Sequence, residues 1–327
     1  MKRGDSTAMC MGSDGMKSVT IDQAVAALRR GEVVAIPTET VYGLAADAQQ
    51  PEAVAKVFAV KGRPSARPLI VHVASPKALD EWAEAIPDYA RRWAEVFWPG
   101  PLTLVLKKQA HVSDAITAGQ DTVALRMPNH PMALELLQAF GGGLVAPSAN
   151  RYRQLSPTTA EAVADALGDQ APLILDGGPC EVGIESTIVL CVDDCPQILR
   201  PGMISAQALM GVGGVTVADS KSSNTVVVPG QDRLHYTPRT PCKMLDRDAI
   251  ASFVPTNQRV GCLSFGTPVG VHSASVVLPA DPKLAAQRLY ASLRQLDQMN
   301  LDLILVEQPP RGEAWMAICD RLQRATA

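Results

Sequence analysis

The chain has 327 residues, 47% of them hydrophobic, enough to bury one large core and a second, smaller one. Thirty basic against 33 acidic residues leave a net charge of −3, which excludes a global field for a nucleic-acid backbone or an anionic membrane, so any polyanion site must be local. Seven cysteines scattered through so long a chain exclude a disulfide scaffold, and no window approaches the roughly 18 uncharged apolar residues of a membrane span; the chain reads as cytoplasmic.

Residues 1–17, rich in Gly, Ser, Met and Asp, read as a disordered-like tail with no signal or transit pattern. Apolar positions 21, 24, 25 and 28 predict a helix over Ile21–Arg30, stopped by Gly31, and Val33–Ile36 a strand. That strand runs into Pro37-Thr38-Glu39-Thr40, two hydroxyls and a carboxylate where α/β sheets place ligands; the same residues equally suit the cap of a following helix. Pro51–Val60 reads as a helix. Lys61, Arg63 and Arg67 then sit among Gly62, Pro64 and Pro68, which keep the backbone in a loop ahead of the strand Leu69–Val73. A Lys point charge and planar Arg forks suit a polyphosphate, and a solvated surface loop is the competing reading.

Helices are predicted over Lys77–Ile86 and Pro87–Phe97, with Trp82, Trp93, Phe97 and Trp98 as core mass, since no basic residues are interleaved as a base-stacking platform would need. Pro99-Gly100-Pro101 turns the chain into the strand Leu102–Leu106. The strand Thr122–Met127 sets Arg126 among apolar neighbours, where it either pairs with a core carboxylate or waits for an anionic ligand. After the helix Pro131–Phe140, the strand Leu144–Ala146 opens into Pro147-Ser148-Ala149-Asn150, whose hydroxyl and amide can reach one ligand edge. A helix Ala160–Leu167, capped by Thr158 or Thr159, and a strand Leu173–Leu175 follow. Gly183-Ile184-Glu185-Ser186-Thr187 suits an anion nest, though it is neither a Walker A loop nor a dinucleotide fingerprint. Cys191 and Cys195 lack a second Cys/His pair and read as structural thiols; Leu199-Arg200-Pro201-Gly202 holds one more cation at a sheet edge.

After Gly211 the composition turns to a Gly/Ser-rich connector through Gly213-Gly214, Ser220–Asn224 and Pro229-Gly230, closed by His235-Tyr236-Thr237-Pro238. A strand Arg259–Phe265, a helix Pro282–Met299, a strand Leu303–Val306 and a helix Ala314–Ala325 make a small α/β domain without a catalytic constellation. Glu307 and Asp320 read there as surface or capping groups.

The ordered set Lys61-Gly62-Arg63-Pro64, Pro68-Leu69-Ile70-Val71-His72, Pro99-Gly100-Pro101-Leu102-Thr103, Ser148-Ala149-Asn150, Gly183 to Ile188 and Arg200-Pro201-Gly202 resembles the YrdC/Sua5 family, the threonylcarbamoyl-AMP synthases. The resemblance implies a YrdC-like twisted mixed sheet with flanking helices around a concave cavity (residues 18–211), a linker or lid (212–241) and a small Rossmann-like α/β Sua5 domain (242–327). It implies synthesis of L-threonylcarbamoyl-AMP and pyrophosphate from L-threonine, bicarbonate or CO2, and ATP carrying Mg2+. The product would feed t6A formation at position 37 of tRNAs reading ANN codons, through downstream t6A transferase proteins. By family position, Lys61, Arg63, Ser148, Asn150, Ser186 and Arg200 would hold ATP, with Lys61 and Arg63 also catalytic. Thr38, Tyr42, His72, Arg126 and Thr187 would form the threonine pocket, and Glu39 near the metal stays open. His235 and Tyr236 would cover the bound intermediate, although anchoring a mobile strap explains them equally well. Two other readings remain: a carbamoyl-transferring hydrogenase maturation protein, whose acylphosphatase-like and zinc-finger segments are missing here, and an RNA-binding or ribosome-assembly factor, for which a basic stripe is missing.

Overall fold

The computed structural model describes residues 17–65, 67–219 and 226–327; the tail over residues 1–16 and the Ser220–Asn224 part of the connector lie outside the described residues. Ten strands form the first sheet: β1 Val34–Ile36, β2 Gly43–Asp47, β3 Ile70–His72, β4 Leu102–Lys107, β5 Thr122–Arg126, β6 Leu144–Val145, β7 Leu173–Ile174, β8 Thr187–Leu190, β9 Gln197–Arg200 and β10 Ala218–Asp219. Their order is β10-β9-β8-β4-β5-β3-β6-β2-β1-β7. Parallel pairs (β3 with β5, β4 with β8) alternate with antiparallel ones (β4 with β5, β8 with β9), which makes the mixed sheet that the resemblance implies. Because β5 and β9 finish where β4 and β8 begin, Arg126, Arg200 and the Ser186-Thr187 step arrive at one edge of the sheet. The register sets His72 directly beside Arg126.

Local chemistry explains where the elements depart from expectation. The helix that starts at Pro51 runs through Lys61 and ends on Gly62 in the left-handed conformation (φ 59°), so Lys61 is its last helical residue and not part of a loop. No helix follows Thr38 and Thr40, and the capping reading of those threonines fails. β2 follows instead, missed because Gly43-Leu44-Ala45-Ala46-Asp47 is poor in β-formers. Its small residues answer to packing: a Cβ on Gly43 would lie 3.0 Å from the Ala146 Cβ. The single helix expected over Lys77–Ile86 is a 3-10 turn, Pro76–Ala78, and a short helix, Leu79–Trp82, because Ala83 leaves it to bridge Lys108.

Trp82, Trp93 and Trp98 are buried in the main core, as expected of them. The helix Ala206–Gly213 packs on Asp88–Phe97, with Trp93 Nε1 donating to the Leu209 carbonyl at 2.8 Å, and β10 pairs with β9. Gly213 is a packing glycine there, since a Cβ would lie 2.6 Å from Trp93 Nε1.

The C-terminal domain is a four-stranded parallel sheet of β11 Cys242–Leu245, β12 Val260–Phe265, β13 Ala274–Leu278 and β14 Leu303–Glu307, ordered β11-β14-β12-β13. Its long helix Pro282–Asp297 is capped by Asp281, which accepts from the Lys283 and Leu284 amides at 2.9 Å. Glu307 and Asp320 are ion-paired, not surface or capping groups: Glu307 meets Arg247 at 2.9 Å and the Phe265 amide at 2.8 Å, and Asp320 meets Arg321 and Arg324. Among the described residues every cysteine is a free thiol, no His/Cys/Asp/Glu cluster suits a metal, and no helix is long and apolar enough to cross a membrane.

Candidate active site

One cleft collects eleven of the thirteen residues singled out from the sequence. Lys61, Arg63, Ser148, Asn150, Ser186 and Arg200 line it, as do Thr38, His72, Arg126, His235 and Tyr236; Tyr42 and Thr187 do not. Eight separated segments therefore meet in space as well as in residue type.

The cations there are held by carbonyls. Lys61 Nζ donates to the Asn150 carbonyl at 2.8 Å and to that of Ser148, and Lys61 is buried, which overturns the solvated-loop reading for this residue. Burial, with the Arg63 charge beside it, depresses the ammonium pKa well below its ordinary value, and Glu185 opposes this. Arg200 donates through Nε and Nη2 to the Ser186 carbonyl at 3.1 and 3.0 Å and through Nη2 to Ser186 Oγ at 3.2 Å; Nη1 reaches the Pro229 carbonyl at 3.1 Å. Arg63 donates to the Pro68 carbonyl at 3.0 Å, while its buried Nε has no protein partner and burial brings its pKa down to about 10. Among the described residues none of the three makes a salt bridge to a carboxylate. On the same wall, Asn150 Oδ1 is buried without a protein partner and Ser186 Oγ lies 2.7 Å from Thr103 Oγ1.

The remaining cleft residues are neutral or self-paired. Arg126 pairs with Glu39 at 2.7 Å, both side chains at most 5% exposed, so a core carboxylate answers its burial. His72 Nδ1 has no protein partner, and burial followed by the Arg126 charge drives the imidazole pKa down to about 3, leaving it neutral. Thr38 Oγ1 donates to the Val41 carbonyl at 2.6 Å and accepts from the Thr40 and Val41 amides, so this hydroxyl folds the turn it sits in. Tyr42 and Thr187 lie outside the residues that line the cleft. Tyr42 is fully buried with its hydroxyl on the Gly178 carbonyl (2.8 Å) and Asp176 (3.2 Å), and Thr187 Oγ1 exchanges bonds with the Ile204 carbonyl (2.8 Å) and amide (3.1 Å).

The connector crosses the cleft. Its Asp232 carboxylate takes Arg67 and, at 2.8 Å, the Tyr152 hydroxyl, while its carbonyl takes Arg324 Nη1 at 2.8 Å. Gly230 (φ 83°) lies so close under the next turn that a Cβ there would sit 2.3 Å from Tyr236 Oη and 3.2 Å from Arg200 Nη1. Tyr236 is buried, 5.7 Å from the Tyr290 ring and under the Arg321 guanidinium, and so anchors the strap to the C-terminal domain. His235, edge-on to Tyr236 with ring centroids 4.1 Å apart, is kept neutral by burial, with a pKa near 3. Asp232 and Tyr152 were not singled out from the sequence; Thr40 and Glu185 lay inside quoted motifs, but the Arg321 partner of Glu185 is 136 residues away.

A family model described as "Telomere recombination" matches residues 26–202, and one described as "Threonylcarbamoyl-AMP synthase, C-terminal domain" matches residues 203–327. The chain belongs to the YrdC/Sua5 family of threonylcarbamoyl-AMP synthases. A threonylcarbamoyl-AMP synthase of Bacillus subtilis is 40% identical over 319 residues, covering 93% of this chain and 92% of that protein. One from Pyrococcus abyssi is 36% identical over 315 residues, covering 91% of this chain and 92% of its own length. The crystal structure of P. abyssi Sua5 complexed with L-threonine superposes with a TM-score of 0.87 at 36% identity, covering 94% of each chain. Within this YrdC/Sua5 framework the cleft sits between the YrdC-like unit and the strap.

Proposed function

We propose that this synthase joins L-threonine, bicarbonate or CO2, and ATP into L-threonylcarbamoyl-AMP with release of pyrophosphate, for t6A formation at position 37 of tRNA by downstream transferase proteins. The observation that carries the reading is the set Lys61, Arg63 and Arg200, cations around one cleft whose protein partners are carbonyls and one hydroxyl. Cations taken out of water without a direct carboxylate partner are costly, and a polyphosphate would supply a counter-charge.

The threonine amine, in its neutral form, bonds to the carbon of CO2 and loses a proton to give a carbamate. A carbamate oxygen then attacks the α-phosphorus of ATP, the bond to the β-bridging oxygen breaks, and its electron pair leaves with pyrophosphate. Lys61, Arg63 and Arg200 would neutralise the phosphates, with Ser148, Asn150 and Ser186 orienting the nucleotide; the protein positions two anions against each other and offsets their charge. The threonine half would lie against His72, Thr38 and Arg126, whose carboxylate-binding capacity is shared with Glu39. His235 and Tyr236 would keep water from the mixed anhydride.

Mg2+ fits as an ion carried by the phosphates. Glu185 and Glu39 are both engaged by arginines, which leaves Glu39 Oε1, without a protein partner, as the carboxylate oxygen available to a metal-bound water. The ion would add charge neutralisation on the departing pyrophosphate.

The test is pyrophosphate release from ATP and bicarbonate with and without L-threonine, serine and valine serving as controls. Threonine-dependent release is expected; folded protein that binds ATP but releases none with any amino acid would overturn the reading.

A further inference from the structure

Among the described residues the C-terminal domain shows no catalytic constellation, yet one of its side chains holds Glu185, which lines the cleft. Arg321, on the last helix (Met316–Ala325), is 1% exposed. Its Nε donates to Glu185 Oε2 at 2.7 Å and its Nη2 to the Glu185 carbonyl at 3.3 Å, while Nη1 donates to the Pro201 carbonyl at 3.1 Å. Glu185 precedes Ser186 and Pro201 follows Arg200. One guanidinium therefore spans the two strand ends that deliver two of the proposed nucleotide groups, and its planar fork can hold both at once. Tyr290, also from the C-terminal domain, donates to Glu185 Oε2 at 2.9 Å, and Ser156 donates to Oε1 at 2.6 Å, so the carboxylate is fixed from three sides. The same guanidinium covers the Tyr236 ring at 5.3 Å.

We infer that Arg321 is a positioning residue for the nucleotide half of the cleft, setting the spacing of Ser186 and Arg200 and seating the strap through Tyr236. The C-terminal domain then braces the active site from behind. This inference rests on the proposed ATP reading.

Three proteins are compared: wild type, Arg321→Lys and the double variant Arg321→Met/Glu185→Gln. The double variant removes both charges, so no lone buried carboxylate is left to unfold the chain. ATP affinity by equilibrium binding and the Michaelis constants for ATP and threonine are measured separately. A positioning role predicts at least a tenfold loss of ATP affinity in the double variant, less than a twofold change in the threonine constant, and no rescue by lysine, which keeps the charge but cannot span both segments. ATP affinity unchanged in the folded double variant, parallel shifts in both constants, or full rescue by lysine would each overturn it. Wild-type protein that fails to bind ATP would overturn the functional reading as well, which separates the two failures.

Discussion

The ammonium of Lys61 lies 2.8 Å from the Asn150 carbonyl, which ties the end of one helix to the turn that follows β6. That contact also shows how small the protein's own share of this charge is. Lys61→Ala is expected to keep the fold and to lower threonine-dependent pyrophosphate release by roughly a hundredfold, the scale for losing one transition-state charge partner. Near-normal turnover in the folded variant would remove Lys61 from the machinery. Since burial depresses its pKa, a bound polyanion must raise it, and ATP binding in alkaline buffer should take up a proton. Calorimetry in two buffers of different ionisation enthalpy detects that uptake, and the alanine variant should lose it.

The strap is latched by Asp232. Asp232→Asn weakens the contact to Arg67, a partly exposed pair in the range of about 1 kcal/mol, so the intermediate should escape or hydrolyse up to about fivefold faster while ATP affinity stays within twofold. Replacing both His235 and Tyr236 by alanine should accelerate the loss further. Product lifetime followed by chromatography decides; a lifetime equal to wild type in both variants would leave the strap as an anchor alone.

Tyr42 and Thr187 should behave as scaffold. Tyr42→Phe and Thr187→Val each strand buried backbone partners and are expected to cost on the order of 1–3 kcal/mol in denaturant unfolding. Their Michaelis constants for threonine should move less than twofold. A tenfold rise without loss of stability would return them to the threonine pocket.

Glu185 links the interface to pH. Burial alone would raise its pKa, but the charges of Arg321 and Arg200 and the Ser156 hydrogen bond outweigh that and bring it from 4.5 to about 2. A carboxyl depressed in the folded state contributes stability above pH 4.5 and loses it as pH falls from 4.5 through about 2, a term of roughly 3 kcal/mol. His72 and His235, held near 3, fade in the same direction from their ordinary 6.5 downwards. The difference between wild type and Glu185→Gln isolates the carboxylate: their unfolding free energies should converge as pH drops to 2, and a constant gap would contradict this.

Much of the fold was legible because its determinants are local. Pro51 marks the start of a helix by backbone geometry alone, though its end was read one residue early, and the gathering of Lys61, Arg63, Ser148, Asn150, Ser186 and Arg200 was carried by motif order. What stayed hidden depends on distance along the chain. Arg126 left two open readings until β5 was laid beside the turn holding Glu39, and nothing near Arg321 announces a partner 136 residues away. Tyr42 and Thr187 lie in the right segments, but the direction of a side chain follows from the neighbouring strands and not from its own residue type. The glycines after Gly211 read as a flexible connector, and Gly213 proved to be where a helix passes an indole.

Gly230 gives the strap a built-in steric gauge. Closure leaves no room for even one methyl group between that residue and the Tyr236 hydroxyl, so alanine there would act as a doorstop, propping the cleft ajar by a distance set by carbon radii alone. A single-nucleotide change could thus make the enzyme leak its product while every group that touches substrate remained in place.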